Sequence, residues 1–290
     1  MTQHTGRTYV VTGTDSGIGA AVAARLADDG ARVVRCGITE AADVRADLTT
    51  ATGRAAAIEQ VRVLAPDGLD GVALVAGSPE GRVAVGLNYF GTVALLTALR
   101  ADLARRPAPR AVVVSSASSL SAGEADLVDA CLAGDEPRAL AVADRMAARG
   151  RGGVVYRSTK IALNRWLRRT AVRDEWAGAG IPLNAVAPGI VETGTARRTL
   201  LADPASVRVL RDALPQPLGL PGPVEPVAAT IAWLLTPDAG FITGQVIYAD
   251  GGAEVSLRGE APFTAGVRYG PVRLARMIGW TVLGRLRTRT

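Results

Sequence analysis

Short runs of β-branched residues alternate with longer Ala-rich stretches of helical period, and this alternation constrains the fold more than any other feature of the chain. RTYVVTG (7–13) reads as a strand and GIGAAVAARLADDG (17–30) as a helix ending at Gly30. ARVVRCG (31–37) reads as a second strand, 51–65 as a helix and LDGVALVAG (69–77) as a third strand. A helix over 82–104, a strand over 111–116, a helix near 156–177, a strand over 181–189, a helix near 224–235 and a strand over 245–252 follow. Strands that are apolar throughout and separated by helices imply a parallel sheet covered on both faces. The expected fold is α/β, a doubly wound parallel sheet of Rossmann type in one domain over 1–252.

Three stretches break the rhythm. Residues 117–153 are too long for a simple loop, and their second half reads as a helix: Asp135 suits its cap, Pro137 its first turn and Gly150 its end. Residues 190–223, rich in Arg, Leu and Pro, read as a mobile cover over a substrate. Residues 253–290 form a basic C-terminal extension of seven Arg and two Glu, which leaves the body nearly neutral and argues against nucleic acid as a partner.

Composition narrows the chemistry. The single histidine, His4, lies at the N-terminus, where chains are commonly poorly ordered, so His-based triads and His-metal sites are not expected. Two cysteines, Cys36 and Cys131, suit a reducing cytoplasm and make no metal cluster. No apolar run approaches the ~20 residues of a membrane span. The first ten residues lack the pattern of a secretory signal.

Proton chemistry then falls to Tyr, Lys or carboxylates. Of 33 basic residues, only Lys160 is a lysine. It follows Tyr156 by four residues, so on a helix the two side chains share a face. A free tyrosine, with a pKa of ~10, is a poor acid–base group at neutral pH, and a nearby ammonium lowers that value. The bland alternative is a surface Tyr and Lys on an amphipathic helix. Upstream, Gly13, Gly17 and Gly19 follow a strand and open a helix. Gly13 suits a tight turn, Gly17 a close backbone approach to a diphosphate, and Gly19 close helix–strand packing.

From Thr12 to Gly19 the chain reads TGTDSGIG, which resembles the TGxxxGIG turn of the short-chain dehydrogenase/reductase family. Four further stretches resemble that family in order: Asp47 in ADLT, Ala76-Gly77 in LVAG, Asn88 in LNYFG and Pro188-Gly189 in NAVAPGIVET. With YRSTK, the resemblance spans about residues 7–252. It implies an oxidoreductase that interconverts a secondary alcohol and a ketone, cytoplasmic, and a homodimer or homotetramer. NAD or NADP is the implied cofactor. It would be held by Gly13, Asp15, Ser16, Gly17, Ile18, Gly19, Gly37, Asp47, Leu48, Ala76, Gly77, Tyr156, Lys160, Pro188, Gly189, Val191 and Thr193. Tyr156 would be the acid/base. Lys160 would hold the ribose and depress the Tyr pKa, Ser116 would bond the substrate oxygen, and Asn88 would complete a water-linked relay. Ser115, Ser118 and Ser119 compete with Ser116. Asp47 also reads as a helix cap, and Asn88 as a buried polar residue bonded to backbone.

Ser116 and Tyr156 stand 40 residues apart, where the family usually has about a dozen. An insertion of this kind resembles the bacterial 3α-hydroxysteroid dehydrogenase/carbonyl reductase subgroup, which implies a bulky alicyclic substrate and a reshaped dimer contact. A reductase of a polyketide-like biosynthetic ketone is the runner-up. A dinucleotide sensor without catalysis is the rival class, but it has no need of Asn88, Ser116, Tyr156 and Lys160 together. The second strand ends in Gly37, where NAD-preferring members carry an acid, and no cation follows at Ile38 or Thr39. Arg35 is placed to reach a 2′-phosphate, and the choice between NAD and NADP stays open. The tail is expected to be a frayed or subunit-packing extension in preference to a membrane-surface contact.

Overall fold

The computed structural model describes residues 3–287. Met1–Leu257 form one compact unit and Arg258–Thr290 a second. In the first, β1 (Thr8–Thr12) runs into α1 (Gly17–Asp28), which ends at Gly30 with φ +82°, a left-handed conformation that glycine adopts without strain. β2 (Arg32–Gly37), β3 (Val44–Arg45), α2 (Ala51–Leu64) and β4 (Gly71–Leu74) follow. β3 is a two-residue edge strand with no periodicity of its own to announce it. All strand pairs are parallel, in the order β3-β2-β1-β4-β5-β6-β7, where β5 is Arg110–Val114, β6 Leu183–Pro188 and β7 Val246–Ala249. The order reverses between β1 and β4, and in open parallel sheets ligands bind outside the carboxyl ends of strands at such a switch point.

Between β4 and β5 lies one continuous helix with a change of winding. α3 (Gly81–Ala84) passes into a π-helical segment, Val85–Gly91, and then α4 (Thr92–Leu103). π segments occur mostly as single turns at functional sites, and this one carries Asn88. Gly86 and Gly91 let the 47–49 loop lie against it: a Cβ on Gly86 would come within 2.9 Å of the Thr49 carbonyl oxygen, and one on Gly91 within 2.8 Å of that of Leu48. By mean hydropathy, 1.4, Gly81–Leu103 is long and apolar enough to cross a membrane, contrary to the reading of individual apolar runs. Of that apolar window 61% is buried inside the protein, as in a core helix.

Residues 117–153 fold into the core. A short 3₁₀ turn (Ala117–Leu120) leads to α5 (Ala125–Leu132) and α6 (Glu136–Ala148). Asp135 accepts a bond from the Arg138 amide at 3.0 Å, Pro137 lies in the first turn of α6, and Gly150 follows its end at φ +70°. Leu127, Val128 and Cys131 of α5 and Val142 and Met146 of α6 join the same apolar cluster as Val155 and Leu163 of α7 (Gly152–Thr170). α7 starts a turn earlier than periodicity suggests and stops at Thr170. The chain turns extended at Arg173, and Trp176, in the short π turn that follows, is buried in the same apolar cluster. The 190–223 stretch forms α8 (Gly194–Thr199) and α9 (Pro204–Ala213), and α10 (Glu225–Leu234) packs with α1 on the opposite face of the sheet.

His4 is not frayed. It is 3% exposed, its Nδ1 lies 2.8 Å from the Tyr9 hydroxyl, and it sits at the N-terminal end of β1, opposite the glycine turn. α11 (Ala253–Arg258) closes the first unit. The second unit contains a 3₁₀ turn (Ala261–Phe263) and α12 (Pro271–Arg287). The last three residues of the basic extension, 288–290, lie outside the described residues.

Candidate active site

The glycine turn closes on β2 and β4. The Gly13 and Thr14 amides both donate to the Cys36 carbonyl, at 2.8 and 3.3 Å. Gly13 has φ +72°, and a Cβ there would lie 2.9 Å from the Ala76 Cα. A Cβ on Gly19 would meet the Gly13 carbonyl carbon at 2.6 Å, so α1 packs directly on the turn. Gly17, at φ +58°, faces the Thr193 methyl, which a Cβ would approach to 3.1 Å. The Ser16 side chain makes no capping bond, which leaves the first amides of the twelve-residue α1 directed at the switch point. Free helix N-terminal amides beside side-chain-free backbone fit a dinucleotide diphosphate.

The remaining expected cofactor residues surround this turn. Ile18 packs partly buried beneath it, and Leu48 lines a small hollow with Thr12 and Ala76. The exposed Asp47 carboxylate accepts from the Thr49 amide and hydroxyl, at 2.9 and 2.6 Å, while Thr50 caps α2. Asp47 is therefore not the helix cap but shapes the turn before it. Pro188 ends β6, and Val191 bridges to Gly222. The Thr193 hydroxyl accepts from the Ala196 amide at 3.1 Å as the cap of α8, which leaves its proton free to donate outward.

Gln216, which no sequence motif marked, braces this edge. Its Oε1 accepts from the Ile190 amide at 2.5 Å, and its Nε2 donates to the Ile190 and Gly219 carbonyls at 3.3 and 3.0 Å. A recess of about 390 Å³ beside it is lined by Arg211, Pro215, Pro217 and Leu220.

α7 and the end of β5 bring the acid–base groups together. Ser116 is the serine whose side chain acts on the Tyr156 phenol, pulling its pKa down. Ser119 instead donates to the Ser116 carbonyl at 2.7 Å, and the buried Ser115 and Ser118 hydroxyl oxygens have no partner. Lys160 is 3% exposed, so it is no surface lysine. Its Nζ donates to the Val114 carbonyl at 2.8 Å and stands 5.8 Å from the centre of the Tyr156 ring. A Cβ on Gly77 would lie 3.2 Å from Asn88 Oδ1 and 3.7 Å from Lys160 Nζ, which places these three residues side by side. The Asn88 side chain is spent on structure: Oδ1 accepts from the Ser78 amide and Nδ2 donates to the Ser78 carbonyl, both at 2.9 Å, and Nδ2 also reaches Thr159 Oγ1 at 3.2 Å. The reading of Asn88 as a buried residue bonded to backbone thus holds for its side chain.

Burial dominates the electrostatics of this pair. It pushes the Tyr156 phenol above its ordinary value, and the Ser116 side chain only partly offsets this. Burial also pushes the Lys160 ammonium down to about 7. No carboxylate pairs with Lys160 among the described residues, and burial is the largest influence on both groups. The shift carries a stability consequence. Between the folded value, about 7, and the ordinary 10.5, the unfolded chain binds more protons at this site, so stability rises with pH across that window. Lys160→Met removes the burden of the buried charge. Without dinucleotide, its Tm relative to the parent should be most favourable at pH 7 and lose that advantage by about pH 10. Thermal unfolding at both ends of the window checks this, and a pH-independent difference contradicts it.

A model of the family described as enoyl-(acyl carrier protein) reductase matches residues 13–254. The 3-alpha-hydroxysteroid dehydrogenase/carbonyl reductase of Comamonas testosteroni is 35% identical over 255 residues, 86% of this chain and 97% of that protein. The cis-4-hydroxycyclohexanecarboxylate dehydrogenase of Sinomonas cyclohexanicum is 32% identical over 263 residues, 85% and 96% of the two chains. The crystal structure of the 3-alpha-hydroxysteroid dehydrogenase from Pseudomonas sp. B-0831 complexed with NADH matches with a TM-score of 0.80 at 38% identity, covering 87% of this chain and 99% of that one.

Proposed function

The chain belongs to the short-chain dehydrogenase/reductase family, as an NAD(P)-dependent oxidoreductase related to hydroxysteroid and alicyclic alcohol dehydrogenases, and from that premise we propose that it interconverts a bulky alicyclic secondary alcohol and its ketone. The observation that carries this reading is the grouping of Ser116 and Tyr156 beside the buried Lys160, whose Nζ stands 5.8 Å from the centre of the Tyr156 ring. The bound dinucleotide supplies or accepts the hydride. Tyr156, held protonated by burial, donates its phenolic proton to the carbonyl oxygen during reduction and recovers one in the reverse direction. Ser116 hydrogen-bonds the same oxygen and fixes its distance from the phenol. Lys160 anchors the end of the strand that carries Ser116 and presents its amino group beside Gly77.

The amides of α1 and the turn of Gly13, Gly17 and Gly19 hold the diphosphate. Asp47 and Leu48 flank the adenine, and the Pro188–Thr193 segment, braced by Gln216, meets the nicotinamide end. The insertion and the 190–223 segment select the substrate. Two free, buried cysteines agree with a reducing, cytoplasmic setting.

A panel of ketones assayed with each reduced dinucleotide tests the reading. A 3-ketosteroid or a substituted cyclohexanone should be reduced with kcat/KM about tenfold or more above an acyclic β-ketoacyl thioester. The reverse order favours a biosynthetic ketoreductase. Tight dinucleotide binding with no turnover of any ketone favours a sensor.

A further inference from the structure

The end of β2 carries no acid, yet a carboxylate is there. Asp15, from the glycine turn, reaches across to Gly37. A Cβ on Gly37 would collide with Asp15 Oδ2 and lie 2.6 Å from Oδ1. The two positions exclude each other: a side chain at residue 37 has no room while Asp15 holds this place. Asp15 is fixed by the Ile38 amide, which donates to Oδ2 at 2.9 Å, and by the Thr39 amide, at 3.2 Å, and hydroxyl, both donating to Oδ1. A carboxylate offers about four lone-pair directions, and these three bonds leave one on Oδ2, on a side chain that is exposed.

We propose that Asp15 replaces the missing acid of β2, accepts the ribose 2′-hydroxyl of the dinucleotide and makes the enzyme NAD-preferring. This rests on the oxidoreductase reading above. A dinucleotide at this turn puts its adenine ribose at the end of β2, where an acid accepts the 2′-hydroxyl and a cation accommodates a 2′-phosphate. The nearby cations are already matched. Arg35 is held bidentately by Asp43, Nη2 to Oδ1 at 2.9 Å and Nε to Oδ2 at 3.2 Å, so it is not the phosphate ligand its strand position suggested. Arg45, paired with Gly37 in the strand register, faces Glu40 at 3.6 Å. Arg32, which also acts on Asp43, is turned to the Leu64 carbonyl. A phosphate brought to this spot meets a fixed carboxylate and no unmatched cation, which is discrimination by repulsion as well as by attraction.

The test is direct binding of NADH and NADPH to the full-length chain, by quenching of protein fluorescence and by calorimetry. NADH should bind about tenfold or more tightly than NADPH. Asp15→Asn removes the charge but keeps an acceptor for only one of the Ile38 and Thr39 amides, which donate to different oxygens, and should narrow the ratio by about fivefold or more, chiefly by tightening NADPH. Asp15→Ser combined with Gly37→Asp should restore it. A parent chain that binds both equally or prefers NADPH overturns the assignment and leaves the oxidoreductase standing. So does an unchanged ratio in Asp15→Asn. Should that variant not fold, the parent ratio and the double variant decide. A chain that binds neither dinucleotide overturns both readings.

Discussion

Tyr156→Phe should lower kcat for ketone reduction by about 10²–10⁴-fold while leaving the Kd of the reduced dinucleotide within about threefold. The substitution removes one oxygen. The ring stays packed on α7, and its face stays near Lys160 Nζ. What is lost is the proton donor beside Ser116. Because burial holds the phenol above its ordinary value, the parent enters reduction with the proton in place across the neutral range, and no other acid takes it over. Lys160, with a value pushed down to about 7, is only about half charged at neutral pH and points its Nζ at the Val114 carbonyl. Single-turnover reduction separates this outcome from a binding defect. Near-parental turnover in the variant would show that the carbonyl takes its proton from elsewhere, and the Tyr156 assignment would fall.

The parts of this site that were legible in the sequence are those built by local geometry. TGTDSGIG lies between a strand and a helix, so its glycines are set by one turn, and Gly13 and Gly17 do take positive φ. Tyr156 and Lys160 share a helix face because four residues separate them. The parallel, doubly wound sheet follows from apolar strands alternating with helices. What escaped depends on contacts between distant residues. Asp15 and Gly37 are each marked in one dimension as cofactor residues, but only their collision in space gives them a shared meaning. Asn88 sits in a π segment because its side chain turns back to Ser78, which helical period cannot register. The charge argument for Lys160 leaves out burial for a related reason. Spacing gives proximity but not burial, and burial outweighs the neighbour.

Arg54 is the strongest case of such hidden coupling, and Arg54→Ala should cost about 3–5 kcal/mol of unfolding free energy, a large share of the ~5–15 kcal/mol of a typical domain. Its side chain is 8% exposed. Nε donates to the Leu48 carbonyl at 2.9 Å, and Nη2 to those of Thr49 and Gly86 at 2.8 and 3.1 Å. Glu136, at the start of α6, takes both terminal nitrogens at 2.8 and 2.6 Å. Truncation leaves a half-buried carboxylate and three carbonyls without this donor, and the penalty for orphaned groups exceeds the worth of the bonds themselves. Arg54→Lys should recover little, since one ammonium has neither the planar fork for Glu136 nor the span to the carbonyls. Glu136→Gln should be milder, because an amide oxygen still accepts. Urea denaturation with an unchanged m-value checks the order, and a loss below about 1 kcal/mol for Arg54→Ala would contradict it. The same bonds tie the insertion to the loop of Asp47 and Leu48 and to the π segment of Asn88. The surviving folded fraction should therefore also bind dinucleotide more weakly, which a purely peripheral ion pair would not produce.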